Sequence, residues 1–272
     1  MTIPSILPVD QLTALNHVMI NKWTDTASIV LVGYECLITM NMEVELVWKS
    51  RWNFTKILYL LNRYLIIADA IFLELHYFGT NVPMCKPLIF AAAVLYLFGV
   101  FVSESLLIAR VIVVWKSTMD KYIFIIVLLG TMYAALVIYS LTSFILLLRP
   151  LQYFTLLPFG GCLTDTHGAT FWKEFACLLI YDAIMLASMA YPTIRIYRLP
   201  YQSELVRHVH VEGVIFYVYL LLLDILCLVM QLAFPDDIFL FTMPSCMIRS
   251  ILAGRVVLNI RELGARPMSG TN

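Results

Sequence analysis

The sequence predicts an all-α, polytopic membrane protein: a bundle of seven transmembrane helices with its N-terminus outside and its C-terminus in the cytoplasm. Of the 272 residues, 61% are hydrophobic and 13% are charged, and the mean hydropathy is +0.87. A soluble domain carries about twice that share of charge. Apolar runs of about 20 residues, the length that crosses a bilayer, recur along the whole chain. Lys and Arg are unevenly divided between the two predicted sides, and this division sets the orientation.

The predicted elements follow one another with short connections. Residues 1–24 lack the basic start, apolar centre and small-residue cleavage site of a signal peptide, and they are predicted to be a short outer lead. A single transmembrane domain covers residues 25–260, and residues 261–272 form a short cytoplasmic tail. Within the domain, seven segments are predicted as spans: 25–46, 57–78, 88–114, 122–147, 172–195, 212–233 and 237–258.

The orientation depends on the basic residues of the short connecting segments. With seven spans and an outer N-terminus, twelve Lys and Arg residues fall on the inner side and four on the outer side. Six spans would move the three arginines of the C-terminal segment outside and remove most of this bias, so seven spans are preferred. The formal net charge is zero, and nothing indicates a nucleic-acid partner.

Polar side chains recur within the spans at helical spacing. Those that share one face are Glu35, Thr39 and Glu43 in the first span, Asn62, Asp69 and His76 in the second, and Tyr217, Asp224 and Gln231 in the sixth. The further candidates are Arg63 and Glu74 in the second span, Glu104 and Arg110 in the third, Asp182 in the fifth and Arg249 in the seventh.

These side chains are predicted to face the interior of the bundle. An ionised group at the bilayer centre costs about 2.5–3.5 kcal/mol on insertion scales, and exposure of all of them to lipid would unfold the protein. Arg249 needs an acid at similar depth, and the sequence offers Asp224, Asp69 and Glu104, in that order. Two interpretations stay open: a shared, hydrated ligand or ion site, and interhelical pairs that only fix the packing.

The segment NMEVELVWKSRW lies where the first span reaches the inner side. Glu45 and Lys49 are four residues apart with the acid first, which predicts an ion pair on a helix. Trp48 and Trp52 are typical interfacial anchors.

Two features of the connecting segments bear on the orientation. Cys85 and Cys162 both fall on the predicted outer side, where the environment is oxidising, so we expect a Cys85–Cys162 disulfide. The other cysteines lie inside spans and are predicted to be small apolar fillers. The sequon at Asn53 falls on the inner side, where we expect no glycan.

The stretch YECLITMNMEVELVWKSRWNFTKILYLLNRYLIIADA, within residues 27–72, resembles the N-terminal domain of a large family of basidiomycete fungal multi-pass membrane proteins of unknown function. The shared pattern is a Tyr-acid opening, a Thr, an acid-Val-Glu-x-x-Trp motif, a basic turn with a Trp, and Leu-x-Asn-Arg-Tyr. Its residues here are Tyr34, Glu35, Thr39, Glu43, Val44, Glu45, Trp48, Lys49, Trp52, Asn62, Arg63 and Tyr64. At position 36 this chain has a cysteine where the family pattern has an aromatic residue. The resemblance implies seven helices and a fungal source, and it implies no activity.

The predicted arrangement also resembles that of G-protein-coupled receptors, with seven helices, an outer N-terminus and a cystine at the top of the third helix. The Asp-Arg-Tyr, Trp-x-Pro and Asn-Pro-x-x-Tyr motifs are missing from the third, sixth and seventh spans, so the resemblance concerns architecture. A retinal Schiff base in the last helix is excluded, because the last lysine of the chain is Lys173. No catalytic motif or metal-ligand spacing is present, and we predict neither an enzyme nor a cofactor or metal site.

The sequence therefore favours a receptor-like sensor of a small-molecule or lipid ligand, which would signal to a cytosolic protein through the basic inner segment around Arg198 and Arg207. An alternative is an ion- or proton-coupled transporter or channel lined by Glu35, Asp69, Glu104, Asp224 and Arg249, and a third is a scaffold without a ligand. The lipid bilayer is the partner that the composition requires. Composition does not distinguish the plasma membrane from an endomembrane.

Overall fold

The computed structural model describes residues 9–78, 82–118, 122–148, 152–155, 162–165, 172–197, 204–234 and 240–265. Within these residues the elements are α1 (Val9–Glu43), α2 (Phe54–Phe78), α3 (Val82–Thr118), α4 (Tyr122–Leu148), β1 (Gln152–Thr155), β2 (Cys162–Asp165), α5 (Trp172–Tyr197), α6 (Glu204–Ala233) and α7 (Thr242–Ala265). The seven predicted helices are present. The short antiparallel hairpin of β1 and β2 was not predicted, because neither strand carries a long alternating pattern.

Five helical segments of the described residues are long and apolar enough to cross a membrane: Met19–Trp48, Lys86–Thr118, Tyr122–Leu146, Trp172–Arg195 and Val211–Ala233. They are consistent with a membrane protein. Helix α2 falls outside this set because four charged side chains are spread along it, and α7 because Arg249 and Arg255 lower its hydropathy. Seven crossings and the orientation of the termini therefore stay predictions.

Helix α1 is longer than the first predicted span. It begins at Val9, so much of the segment 1–24 is continuous with the first span and does not form a separate lead. Most of the first span is exposed to the surroundings, and apolar side chains such as Leu37 cover that face.

Helix α1 continues directly into a π-helical turn, Val44–Trp48, which alters the predicted contacts there. A π-helix aligns residues five apart, and Trp48 Nε1 accordingly donates a hydrogen bond to Glu43 Oε1 at 3.3 Å. Glu45 and Lys49 are both exposed, and among the described ion pairs none joins them. The predicted Glu45–Lys49 pair was wrong because α-helical spacing does not hold in this turn.

Helix α7 contacts four other helices, α1, α2, α3 and α6. Helices α2 and α3 form one closely packed pair, and α5 and α6 form another. Helix α4 contacts α3 and α5 and leaves an apolar face exposed, as expected for a face in contact with lipid.

The hairpin lies at the end of the bundle where α2 ends and α3 begins, since β1 contacts α3 and β2 contacts α2. We call this the hairpin end, and the opposite end, where α7 finishes, the tail end. In the predicted orientation the hairpin end is outside. Cys85 lies in α3 and Cys162 in β2, but both side chains lie outside the described part of the structure, so their disulfide stays a prediction.

Candidate functional site

The polar faces of α1, α2 and α6 all point into the bundle. Residues with at most 6% of their surface exposed are Glu35, Thr39, Glu43, Asn62, Asp69, His76, Tyr217, Asp224 and Gln231. Helical spacing explains this arrangement, because residues four or seven apart lie on one side of a helix. Lipid tails therefore do not reach these groups.

At the centre of the bundle, Arg249 of α7 binds carboxyl groups from three other helices. Its Nη1 donates to Glu104 Oε1 of α3 at 2.5 Å and to Asp182 Oδ2 of α5 at 2.7 Å. Its Nη2 donates to Asp224 Oδ1 of α6. All four residues are at most 2% exposed. We call these four residues the Arg249 cluster.

The Arg249 cluster holds more acid than base. One guanidinium faces three carboxyl groups, and Glu104 Oε2, Asp182 Oδ1 and Asp224 Oδ2 are buried without a hydrogen-bond partner in the described structure. The Tyr181 hydroxyl is also buried and without such a partner, and it interacts electrostatically with Glu104 and Asp182. Each unbalanced charge would cost several kcal/mol in this interior, so up to two further positive charges can be accommodated.

Protons fit this imbalance better than a metal ion. Among the described residues, no group of three or more His, Cys, Asp or Glu side chains has the arrangement that holds a metal. A proton needs only one carboxylate oxygen, and the Arg249 cluster offers three that have no other partner. The chemistry that the cluster supports is therefore proton uptake and release, coupled to the pairing of Arg249.

Three acids were predicted as possible partners of Arg249. The prediction is confirmed for Asp224 and Glu104 and is wrong for Asp69. Asp69 lies farther toward the hairpin end on α2, where Asp25 of α1 acts on it electrostatically and both of its carboxyl oxygens lack hydrogen-bond partners in the described structure. Asp182 was recognised as a polar residue but not as a partner of Arg249. The spacing of residues along a single helix does not show how α5 is oriented against α7.

A hydrogen-bond network ties α2, α3 and α7 together beside the Arg249 cluster. Asn62 Nδ2 donates to the carbonyl oxygen of Ser250 at 2.9 Å, and Ser103 Oγ donates to Asn62 Oδ1 at 2.6 Å. Ser250 Oγ donates to the carbonyl oxygen of Asn62 at 3.1 Å. Since Ser250 follows Arg249 in sequence, this network fixes the turn of α7 that carries the guanidinium.

The acids of α1 form ion pairs of their own. Arg255 binds Glu35 with two hydrogen bonds of 2.6 Å, and Arg63 Nε lies 3.2 Å from Glu43 Oε2. Glu35 and Glu43 are therefore charge-balanced and do not join the Arg249 cluster. Glu74 accepts a hydrogen bond from Thr26 at 3.1 Å near the hairpin end.

Arg110 lies closer to the tail end than the Arg249 cluster. It interacts electrostatically with Tyr217 and Glu212 of α6, and the Tyr217 hydroxyl donates to the carbonyl oxygen of Leu107 at 2.8 Å. Arg110 therefore contributes to the contact between α3 and α6 and not to the central cluster.

Two basic side chains close the tail end of α1. Lys56 Nζ donates to the carbonyl oxygens of Trp48 and Ser50 at 3.0 and 2.8 Å, and Arg261 Nη1 donates to that of Leu46 at 2.8 Å. The last carbonyls of a helix attract cations because they carry a partial negative charge. This arrangement was not predicted, because the sequence around Lys56 is also typical of a solvated lysine in an inner segment.

A shallow groove of about 370 Å³ lies on the exposed face of α2 near the tail end. It is lined by Trp52, Ile57, Leu60, Leu61, Tyr64 and Leu65. None of these side chains is charged, so the groove suits acyl chains of the surrounding bilayer.

Comparison with known families gives one partial match. A model described as a family of unknown function (DUF6533) matches residues 23–68. A comparison with curated proteins finds no match. The matched segment contains the paired acids Glu35 and Glu43, together with Asn62 and Arg63, but it excludes all four residues of the Arg249 cluster.

Proposed function

We propose that this chain is a multi-pass membrane protein that works as a receptor-like sensor, with the Arg249 cluster as the element that changes state. The supporting observation is that one guanidinium on α7 holds carboxyl groups from α3, α5 and α6. Because three pairs share one cation, neutralising any carboxyl redistributes the remaining hydrogen bonds among four helices. A guanidinium that is shared in this way can have two discrete arrangements of its hydrogen bonds, which is the requirement for a switch.

The packing of α5 against α6 supports a signal toward the tail end. Asp182 and Asp224 lie on these two helices, which are closely packed. Arg198 lies in the segment that joins them, and Arg207 lies near the start of α6. A movement of the two helices at the Arg249 cluster would reposition this basic segment, where we propose that a cytosolic protein binds.

The second candidate is a proton-coupled transporter. The observation that favours it is the ratio of three carboxyl groups to one guanidinium, since a carrier must hold and release its coupling ion. Of the residues predicted to line an ion path, Glu104, Asp224 and Arg249 meet in the cluster. Glu35 does not belong to such a path, because Arg255 binds both of its carboxyl oxygens.

Proximity labelling in cells tests the sensor. The full chain would carry a labelling enzyme at its C-terminus, and the wild type would be compared with Asp224→Asn. The matched control is Glu35→Gln, which also removes a buried acid bound to an arginine, but outside the cluster. We expect Asp224→Asn to change the labelled cytosolic neighbours and Glu35→Gln to leave them as in the wild type.

Equal labelling in all three proteins, at equal amounts in the membrane, would overturn the sensor proposal. The transporter is tested separately by proton flux into proteoliposomes, followed with an enclosed pH-sensitive dye. Flux in the wild type that Asp224→Asn abolishes would favour the transporter over the sensor.

A further inference from the structure

The polar face of α2 leads from the Arg249 cluster toward the hairpin end. Asn62, Asp69 and His76 are each 2% exposed and follow one another at intervals of seven residues. At about 1.5 Å of rise per residue, each interval spans about 10 Å. Asn62 marks the level of the cluster, because its amide binds the carbonyl of Ser250. Asp69 is therefore the next polar group on this face toward the hairpin end.

Asp69 has the properties of a group that exchanges a proton. It is buried, and neither carboxyl oxygen has a hydrogen-bond partner in the described structure. An isolated buried carboxylate without a hydrogen bond is strongly disfavoured, so the carboxyl group holds a proton for most of the time. Asp25 of α1 and Cys246 of α7 interact with Asp69 electrostatically, and neither supplies a positive charge.

The opposite direction from the Arg249 cluster is closed by apolar side chains. On the next turns of α3, α5 and α6 toward the tail end, Leu107, Met185, Met189 and Leu220 are at most 1% exposed. These side chains belong to one apolar core cluster. The first carboxyl group of α6 on this side is Glu212, about 18 Å along the helix from Asp224, and it interacts electrostatically with Arg110. The hairpin end therefore offers the shorter route.

We propose that the Arg249 cluster binds protons and that these protons reach it from the hairpin end by way of Asp69. The protonated Asp69 carboxyl group releases its proton to a carboxylate of the cluster, at the unpartnered oxygen of Glu104 or Asp224. The Asp69 carboxylate that is left then takes a proton from hydronium at the hairpin end and returns to its protonated form. Water bridges the intervals between these groups by hydrogen bonds.

Several titratable groups face this route and take part in its pH response. Around the cluster they are Tyr96 and Glu104 of α3, Tyr133 of α4, Tyr181 and Asp182 of α5, Tyr217, Asp224 and Cys227 of α6, and Cys246 and Arg249 of α7. Around Asp69 they are Asp25 and Cys246. This inference rests on the proposed function in that it names the proton as the ligand of the same cluster.

Infrared difference spectroscopy tests the inference, with protons alone as the probe. The purified full chain in lipid nanodiscs would be titrated from acid to alkaline pH, and the carbonyl band of protonated carboxyl groups would be followed. We expect the band to titrate in the wild type and to lose one component in Asp224→Asn. Exposed carboxyl groups titrate in both proteins, so a carboxyl band of Asp224→Asn that is identical to that of the wild type at every pH would overturn the proposal.

The route is tested by the rate of the same band after a rapid pH jump. Asp69→Asn should slow the change about 100-fold, the lower range of what a positioned proton-transfer group contributes. Asp69→Glu keeps a carboxyl group and should restore most of the rate. The control is Glu43→Gln near the tail end, which should react at the wild-type rate. An unchanged rate in a folded Asp69→Asn protein would exclude the route through Asp69.

The two proposals fail in different ways. If the carboxyl band titrates but proximity labelling in cells does not respond to external pH or to Asp224→Asn, the sensor fails and proton binding stands. If labelling depends on Asp224 but the carboxyl band of Asp224→Asn titrates like that of the wild type, the sensor stands and the proton is not its ligand.

Discussion

Gly213 of α6 lies directly against the guanidinium group of Arg110 of α3. A β-carbon at position 213 would come within 2.6 Å of Arg110 Nη2 and within 2.7 Å of Met189 Cε on α5. Both distances are shorter than side-chain atoms tolerate. Three helices therefore meet at this position, and a side chain there would have to displace the flexible ends of Arg110 and Met189.

The first prediction concerns this contact. Gly213→Ala should destabilise the protein by about 1 kcal/mol, the lower end of the usual cost of overpacking, because only the flexible ends of Arg110 and Met189 must move. Thermal unfolding of the purified protein in detergent measures the effect. Gly130→Ala on α4 is the control, since a β-carbon there meets nothing within 4 Å, and alanine is favoured over glycine in a helix. Equal melting temperatures for the two variants would contradict the packing described.

The second prediction compares two arginines of α7. Arg249→Gln should cost about 3–5 kcal/mol, because it leaves buried carboxyl groups without their cation. Arg255→Gln should cost less, since the Arg255 side chain is 47% exposed, water screens its pair, and only one carboxyl group, that of Glu35, loses its cation. Denaturant or thermal unfolding of both variants tests the difference.

A rescue experiment separates charge from packing at the same site. Combining Arg249→Gln with Glu104→Gln, Asp182→Asn and Asp224→Asn removes all four ionisable groups while keeping similar volumes. This protein should recover much of the lost stability, because no unbalanced charge stays buried. If the combined variant is no more stable than Arg249→Gln alone, repulsion among the carboxyl groups is not the cause of the loss.

Helical spacing was sufficient to predict which side chains face inward. The geometry of a single helix is enough to explain both patterns. Residues from Glu35 to Glu43 are spaced four apart, and residues from Tyr217 to Gln231 are spaced seven apart. The structure buries all of these residues. The number of helices followed in the same way from the length of the apolar runs.

Partners across helices were harder to predict, because they depend on how each helix is rotated and shifted against its neighbours. Asp69 was expected to bind Arg249 on the basis of depth alone, but α2 carries it about 10 Å along the helix from Asn62. Arg255 was not recognised as the partner of Glu35, although its long side chain reaches that carboxyl group from α7. The Glu45–Lys49 pair failed for a local reason, the π-helical turn that interrupts the α-helical spacing.

The third prediction concerns Lys56. Lys56→Met should cost about 1–3 kcal/mol, because it leaves the carbonyl oxygens of Trp48 and Ser50 without their buried donor. Lys49→Met, at an exposed position of the same segment, should change the stability by no more than about 0.5 kcal/mol. Unfolding of both variants in detergent provides the comparison. A similar effect of the two changes would show that Lys56 does not hold the turn.

The fourth prediction concerns the orientation in the membrane. Asn53 should carry no glycan, because the Lys and Arg bias places it inside, and because its Oδ1 accepts a hydrogen bond from the Lys56 backbone N–H at 2.8 Å. A sequon introduced between β1 and β2 should be glycosylated in a eukaryotic host. A glycan at Asn53, or antibody access to a C-terminal epitope in unpermeabilised cells, would reverse the orientation.

The fifth prediction concerns the Cys85–Cys162 disulfide, which would attach the hairpin to the start of α3. The backbone supports this pairing, since β1 contacts α3 and Cys162 pairs with Thr155 of β1 in the sheet register. Peptide mapping without reduction should recover the linked pair, and Cys85→Ser should cost about 2–4 kcal/mol because the unfolded chain is no longer constrained. Cys177→Ser on α5 is the control, since Cys177 is a free thiol. Alkylation of both Cys85 and Cys162 in the unreduced protein would exclude the disulfide, and the hairpin would then be held at the bundle by its contacts with α2 and α3 alone.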